Sequence, residues 1–214
     1  MTQAGNRQPR TLALAIALCV FIAAIFISLF RWTLVEYLTP FIEPYVEMTI
    51  GLLFCVSLAW STVHLIRAWK HGARSALSPL VTNLVTVIMV TLVPFSFLTM
   101  QFDFRTHYRA RMTVVSGVLD GSYENLVQNK GGRGDLIALP THLSYLSSGG
   151  GDIIRWHRQN ATLIFFFDYR GILDSFSGFV YSSDDSPPRE GDFGGRFEEI
   201  ERLRQNWFWA TSRN

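Results

Sequence analysis

Charge is nearly absent from the first hundred residues of this chain, and cysteine is absent from everything after Cys55. Of 19 basic and 17 acidic side chains, only Arg7, Arg10, Arg31, Glu36, Glu43, Glu47, Arg67, Lys70 and Arg74 precede residue 101. So few charges leave too little polar surface for a water-soluble fold in that half. The lack of cysteine excludes a disulfide framework for the second half, since Cys19 and Cys55 both sit in apolar runs. Lysine is scarce as well, occurring only as Lys70 and Lys130, and the arginine bias points to a GC-rich bacterial genome. The formal net charge is +2, and basic and acidic residues nearly balance after residue 100. No basic stripe for nucleic acid follows from that balance. His-Glu-x-x-His, Cys-x-x-Cys and Gly-x-Ser-x-Gly spacings are all missing, so no metal, cofactor or nucleophile elbow is predicted.

What the first half has is apolar length. Residues 11–30, 46–66 and 80–100 each suffice to cross a hydrocarbon core of ~30 Å as a helix. The first run is too long for a signal-peptide core and ends in Ser-Leu-Phe-Arg-Trp without a small-residue cleavage site, so it reads as a signal anchor. Between the spans, 31–45 reads as an interfacial loop rich in aromatics with Pro40 and Pro44, and 67–79 as a basic loop. Arg67, Lys70 and Arg74 face no acid there, whereas Glu36, Glu43 and Glu47 outnumber Arg31 in the first loop. The positive-inside rule then puts residues 1–10 and 67–79 in the cytoplasm and the domain at 101–214 outside. Arg105, Arg109 and Arg111 oppose this count.

Small residues recur every four positions, as Ala15, Cys19 and Ala23 in the first span and Gly51, Cys55 and Ala59 in the second. Such stripes suit close helix packing, and they are predicted to face each other. No Asp, Glu, Lys or Arg lies inside a span except Glu47 at a rim, which disfavours a proton or ion pathway. Pro94 cannot donate to the Val90 carbonyl, so a kink is predicted in the third span.

Beyond residue 100 the third span continues into a juxtamembrane helix. Tyr108, Met112, Val115 and Leu119 form its apolar face, the nearby arginines lie mostly off it, and Gly121 ends it. After a loop at 131–134 the period becomes two, giving strands at 135–139, 152–159, 162–169, 176–182 and 207–212. Residues 196–206 fit either a helix or an extended piece. The fold class is therefore three transmembrane helices followed by a small α+β domain, an antiparallel β-meander packed on the juxtamembrane helix.

Site candidates are sparse. The glycine-rich Ser147–Asp152 segment enters a strand rather than a helix and lacks a Gly-Lys-Ser/Thr, so it reads as a turn. The acid–base set is Asp152, His157 and Asp168, with His142 and Asp174 beside them, and no spacing links its members. Arg133-Gly134-Asp135 and Asn160-Ala161-Thr162 match short motifs that arise by chance. These features predict a non-enzymatic domain at the bacterial inner membrane. Its partners would be the lipid bilayer and an envelope protein or a second copy, in an accessory, sensory or immunity-type role. An enzyme or small-ligand module in 101–214 and a channel subunit built from the spans are the alternatives.

Overall fold

The computed structural model describes residues 8–69, 77–131, 134–171 and 175–212. Arg7, Lys70 and Arg74 of the basic flanks, Arg133 of the tripeptide and Asp174 lie outside them. The chain divides at the composition step into two compact units, Met1–Thr99 and Met100–Asn214.

The first unit is helical. Helix α1 covers Gln8–Trp69 and α2 covers Ser78–Leu92. Within α1, Thr11–Phe30 and Pro44–Ala68 are each long and apolar enough to cross a membrane. Helix α2 and α3 (Phe95–Leu119) together make a third such segment if their break is counted within one span.

The loop expected at 31–45 is a correction, because helical hydrogen bonding runs through it. Direction nevertheless changes. Ala24, Phe54 and Thr86 line one cavity, although a straight helix would hold Ala24 and Phe54 ~45 Å apart. The axis of α1 therefore bends back between them, in the interval where Pro40 and Pro44 each remove one helical hydrogen bond.

The predicted kink at Pro94 is a full break. Val93 is extended (φ −88°, ψ 118°), its N–H still bonds Met89 O, and Phe95 N–H turns to Val93 O at 2.9 Å.

The packed faces differ from the expected stripes. In the first segment the buried positions are Ala13, Ala17 and Val20, whereas Ala15 and Cys19 are exposed and Ala23 is half-buried. In the second, Ser57 and Ser61 are buried, while Gly51, Cys55 and Ala59 are exposed. Helix contact follows a hydrogen bond rather than smallness alone. Asn83 of α2 is fully buried, accepts from Ser57 Oγ (3.1 Å) and donates through Nδ2 to Ser61 Oγ (3.0 Å). The hydroxyls of Ser28, Thr62, Thr82 and Thr86 bond carbonyls of their own helix four residues back. Asn83→Ala leaves both serines without their partner and is expected to weaken the α1–α2 contact by about 1 kcal/mol. Unfolding in graded SDS is the measurement.

The second unit is α3 on a seven-stranded antiparallel sheet of order β1-β2-β3-β4-β5-β7-β6. The strands are β1 (Val127–Gly131), β2 (Gly134–Ala138), β3 (Asp152–His157), β4 (Thr162–Arg170), β5 (Phe176–Ser182), β6 (Phe197–Arg204) and β7 (Trp207–Ser212). The meander holds through β5, after which β7 inserts beside β5 and leaves β6 at the edge. The ambiguous 196–206 segment is this edge strand, turned into β7 at Gln205–Asn206 with Asn206 left-handed (φ 65°). Glu198, Glu199, Arg202 and Arg204 are exposed along it and two bulges interrupt it, which protects an edge from pairing with other chains.

Alternation sorts the core into two layers. Ile153, Ile164, Phe166, Phe179, Trp207 and Trp209 face α3, where Phe104, Val115 and Val118 meet them. Leu163, Phe165, Val180, Phe208 and Ala210 face the other way and are covered by Phe193. The α3 face is shifted from the predicted one. Met100, Phe104, Arg111, Val114, Val115 and Val118 are buried, Tyr108 and Met112 pack alongside, and Leu119 is exposed. Gly121 (φ 82°) follows α3, as predicted.

Candidate functional site

The three sequence candidates do not converge. Asp152 and His157 stand at opposite ends of β3, ~17 Å apart along the strand, and alternate to opposite faces. Asp152 pairs loosely with Arg170 at 3.6 Å. His157 Nε2 lies 3.2 Å from Asp135 Oδ2, in a cluster centred on Arg155. That guanidinium donates through Nε and Nη2 to Asp135 (3.1 and 2.7 Å) and through Nη1 to Glu124. Desolvation pushes the Asp135 carboxyl up, but hydrogen bonds and charge from Arg155 and His157 outweigh it and hold the group below its ordinary value. The Glu124 hydrogen bond, with Asp135 behind it, raises Arg155. All three guanidinium nitrogens of Arg155 meet a carboxylate, which is the pattern of a structural ion-pair network.

Asp168 belongs to a different group, and that group was not legible as a site. Asp103, His107 and Arg111 recur every four residues on α3, so they share one helix face. Asp103 Oδ1 lies 2.7 Å from His107 Nδ1, and Asp103 Oδ2 accepts from Arg111 Nη2 at 2.6 Å. Arg111 is only 3% exposed, and its guanidinium lies 3.9 Å from the centroid of the Phe179 ring. Burial lowers its pKa from the ordinary arginine value, opposed by the charge of Asp103 and, more weakly, of Asp168 and Tyr145. The exposed Tyr145 ring meets His107 edge-on at 5.3 Å. An imidazole oriented by a carboxylate is half of a nucleophile-activating arrangement. No Ser, Thr or Cys bonds His107 among the described residues. Arg111 itself was expected off the apolar face, so the Asp-x₃-His-x₃-Arg spacing was the signal that passed unread.

The glycine turn behaves as expected. Gly149, Gly150 and Gly151 all take positive φ, Ser147 Oγ accepts from Phe167 N–H at 2.9 Å, and it donates to Asp152 O at 2.5 Å. A Cβ at Gly151 would lie 2.5 Å from the Ser144 Cβ, which is why no side chain fits there.

A third polar assembly clamps the covering loop over the second core layer. Arg158 bonds Asp192, Ser186 Oγ (2.7 Å) and the Pro187 carbonyl (3.0 Å). Next to it Asp184 accepts from the hydroxyls of Ser186 and Ser182, both at 2.7 Å, and these bonds hold its pKa down to about 2. A carboxyl depressed in the folded state contributes stability above its unfolded pKa, and that contribution is lost as pH falls through the folded value. The loop is therefore expected to loosen between pH ~4 and ~2, and Asp184→Asn to flatten the change. A carboxyl-detected NMR titration checks both.

No group of three or more His, Cys, Asp or Glu side chains arranged to hold a metal occurs among the described residues. Comparison with protein-family models, with curated proteins and with solved structures finds no match for this chain.

Proposed function

We propose that this is a three-span protein of a bacterial cytoplasmic membrane that presents its α+β domain on the extracytoplasmic side for contact with another protein. The observation that carries the contact reading is the Tyr145 patch. Its exposed ring rests on His107, which is fixed by Asp103 and, beneath it, by the buried Arg111. Tyr and Arg dominate interface energetics, and a side chain already held in place loses little entropy on binding. The scattering of Asp152, His157 and Asp168 favours contact over chemistry.

Topology rests on charge. Arg67, Lys70 and Arg74 mark the cytoplasmic loop. Arg105, Arg109 and Arg111 oppose this orientation, but short loops such as 67–79 weigh most in the rule. The role is accessory, sensory or immunity-type.

A photo-crosslinking residue at position 145, activated in intact cells, is the test. A protein adduct of discrete size that weakens with His107→Ala supports the proposal. Lipid adducts alone would refute it.

A further inference from the structure

Phe102 of α3 leaves 73% of its surface exposed, more than any other large apolar side chain described in the second unit. Arg105 and Arg109, both exposed, follow it at helical spacing. The three side chains form one stripe, on the side of α3 turned away from Phe104 and the sheet. No charged side chain occurs from residue 75 to residue 102. The stripe therefore begins where the uncharged run ends, and Arg105 is the first exposed charge beyond it. We propose that this stripe docks on the bilayer surface, with Phe102 at the acyl boundary and Arg105 and Arg109 on the phosphates of anionic phospholipids. The proposal rests on the reading of the helices as membrane-spanning, and not on which side the domain faces.

The arginines are free to take an anion. Asp103, the nearest carboxylate along α3, is held by His107 and Arg111. Among the described residues the side chains of Arg105 and Arg109 have no hydrogen bond or ion pair. Like charges one helical turn apart repel, and a phosphate between them turns that repulsion into attraction. Guanidinium groups match phosphate oxygens in pairs, while their methylene stems lie along apolar surface. An aromatic ring suits headgroup depth.

Other occupants fit less well. A second copy laid stripe to stripe would set guanidinium against guanidinium. A soluble acidic partner would satisfy the arginines, but the uncharged run leading into α3 brings the bilayer to the stripe first.

The full-length protein, with Cys19→Ala and Cys55→Ala, carries a nitroxide at Thr106→Cys, an exposed position within the stripe. It is placed in nanodiscs of phosphatidylcholine or of an equal mixture with phosphatidylglycerol. Collision with an aqueous nickel complex and with oxygen reads the depth of the label. The mixed discs should shield it from nickel and open it to oxygen, the docked-to-undocked ratio rising about thirtyfold for two arginines. Arg105→Gln with Arg109→Gln should erase the dependence on phosphatidylglycerol. Phe102→Ser should raise nickel access in both discs, with circular dichroism unchanged because the side chain is exposed.

Equal nickel access in the two discs, or a lipid dependence that survives loss of both arginines, would overturn the proposal. So would the same shielding produced by inorganic phosphate in phosphatidylcholine discs, or spin–spin broadening that marks a second copy over the stripe. Carbonate extraction of membranes separates the causes. A protein released by carbonate sinks the membrane reading itself, and one retained with its label open to nickel in both discs sinks only the docking face.

Discussion

Replacing Gly178 with alanine is expected to cost the domain about 3 kcal/mol or more, a large share of the stability of an ordinary domain. Gly178 sits mid-strand in β5, opposite Phe167 of β4. A Cβ built there falls 2.0 Å from the Phe166 carbonyl oxygen and 2.8 Å from Phe165 Cε1. Backbone cannot rotate aside as a side chain can, so β4 and β5 must part or slide, and both layers of the core register the change. The reference variant is Gly191→Ala. Gly191 has a positive φ of 87° but nothing within 4 Å of an added Cβ. Only backbone strain applies, at a cost of about 1 kcal/mol. Urea unfolding of the full-length protein in mild detergent, followed by tryptophan fluorescence, compares the two. Equal losses would mean that the tight β4–β5 approach is not real.

The second large effect separates a buried charge from the fold that holds it. Asp103→Ala removes the partner of a guanidinium that is 3% exposed and whose Nε already has no hydrogen-bond partner among the described residues. A loss of roughly 2–3 kcal/mol is expected, less than for a fully buried pair because Asp103 is one-third exposed. Arg111→Met should be nearly neutral or stabilising, since a flexible apolar chain can occupy the place of the guanidinium over Phe179. Adding Asp103→Ala to Arg111→Met should then cost little. That non-additivity is the signature of one coupled pair, and the same urea experiment reads it. If Arg111→Met destabilised as strongly as Asp103→Ala, the pair would be a net source of stability and the argument would fail. The contact proposal adds a separate expectation, that Arg111→Met frees Asp103 and His107 to move and weakens crosslinking at Tyr145 without unfolding the domain.

How much of this was legible in the sequence varied with the range of the interaction. Strand β3 followed from alternation, β4 from a run apolar on both faces, and β2, β5 and β7 from short runs bounded by Gly, Pro or other turn residues. The edge strand β6 resisted, since Phe197, Ile200 and Leu203 satisfy a helical period as well as a bulged strand, and only pairing with β7 decides between them. Strand β1 carries Gln128, Asn129 and Lys130, which announce a loop, and it is a strand because β2 offers a free edge. In the spans, apolar length was plain but facing was not. Gly51, Cys55 and Ala59 formed the conspicuous stripe, yet the contact was decided by Asn83 reaching Ser57 and Ser61, residues 26 and 22 positions away. The polar groups show the same limit. Asp103, His107 and Arg111 were within reach of a local reading, whereas Glu124, Asp135 and Arg155 meet only after the sheet forms.

The central claim is that the helical half is an anchor and that the α+β half is presented outside the cytoplasm. Paired fusions at the C-terminus measure this directly, one to alkaline phosphatase and one to green fluorescent protein, expressed in a bacterial cell. The account predicts an active phosphatase and a dark fluorescent protein. A fluorescent fusion with inactive phosphatase would place the domain in the cytoplasm and contradict it.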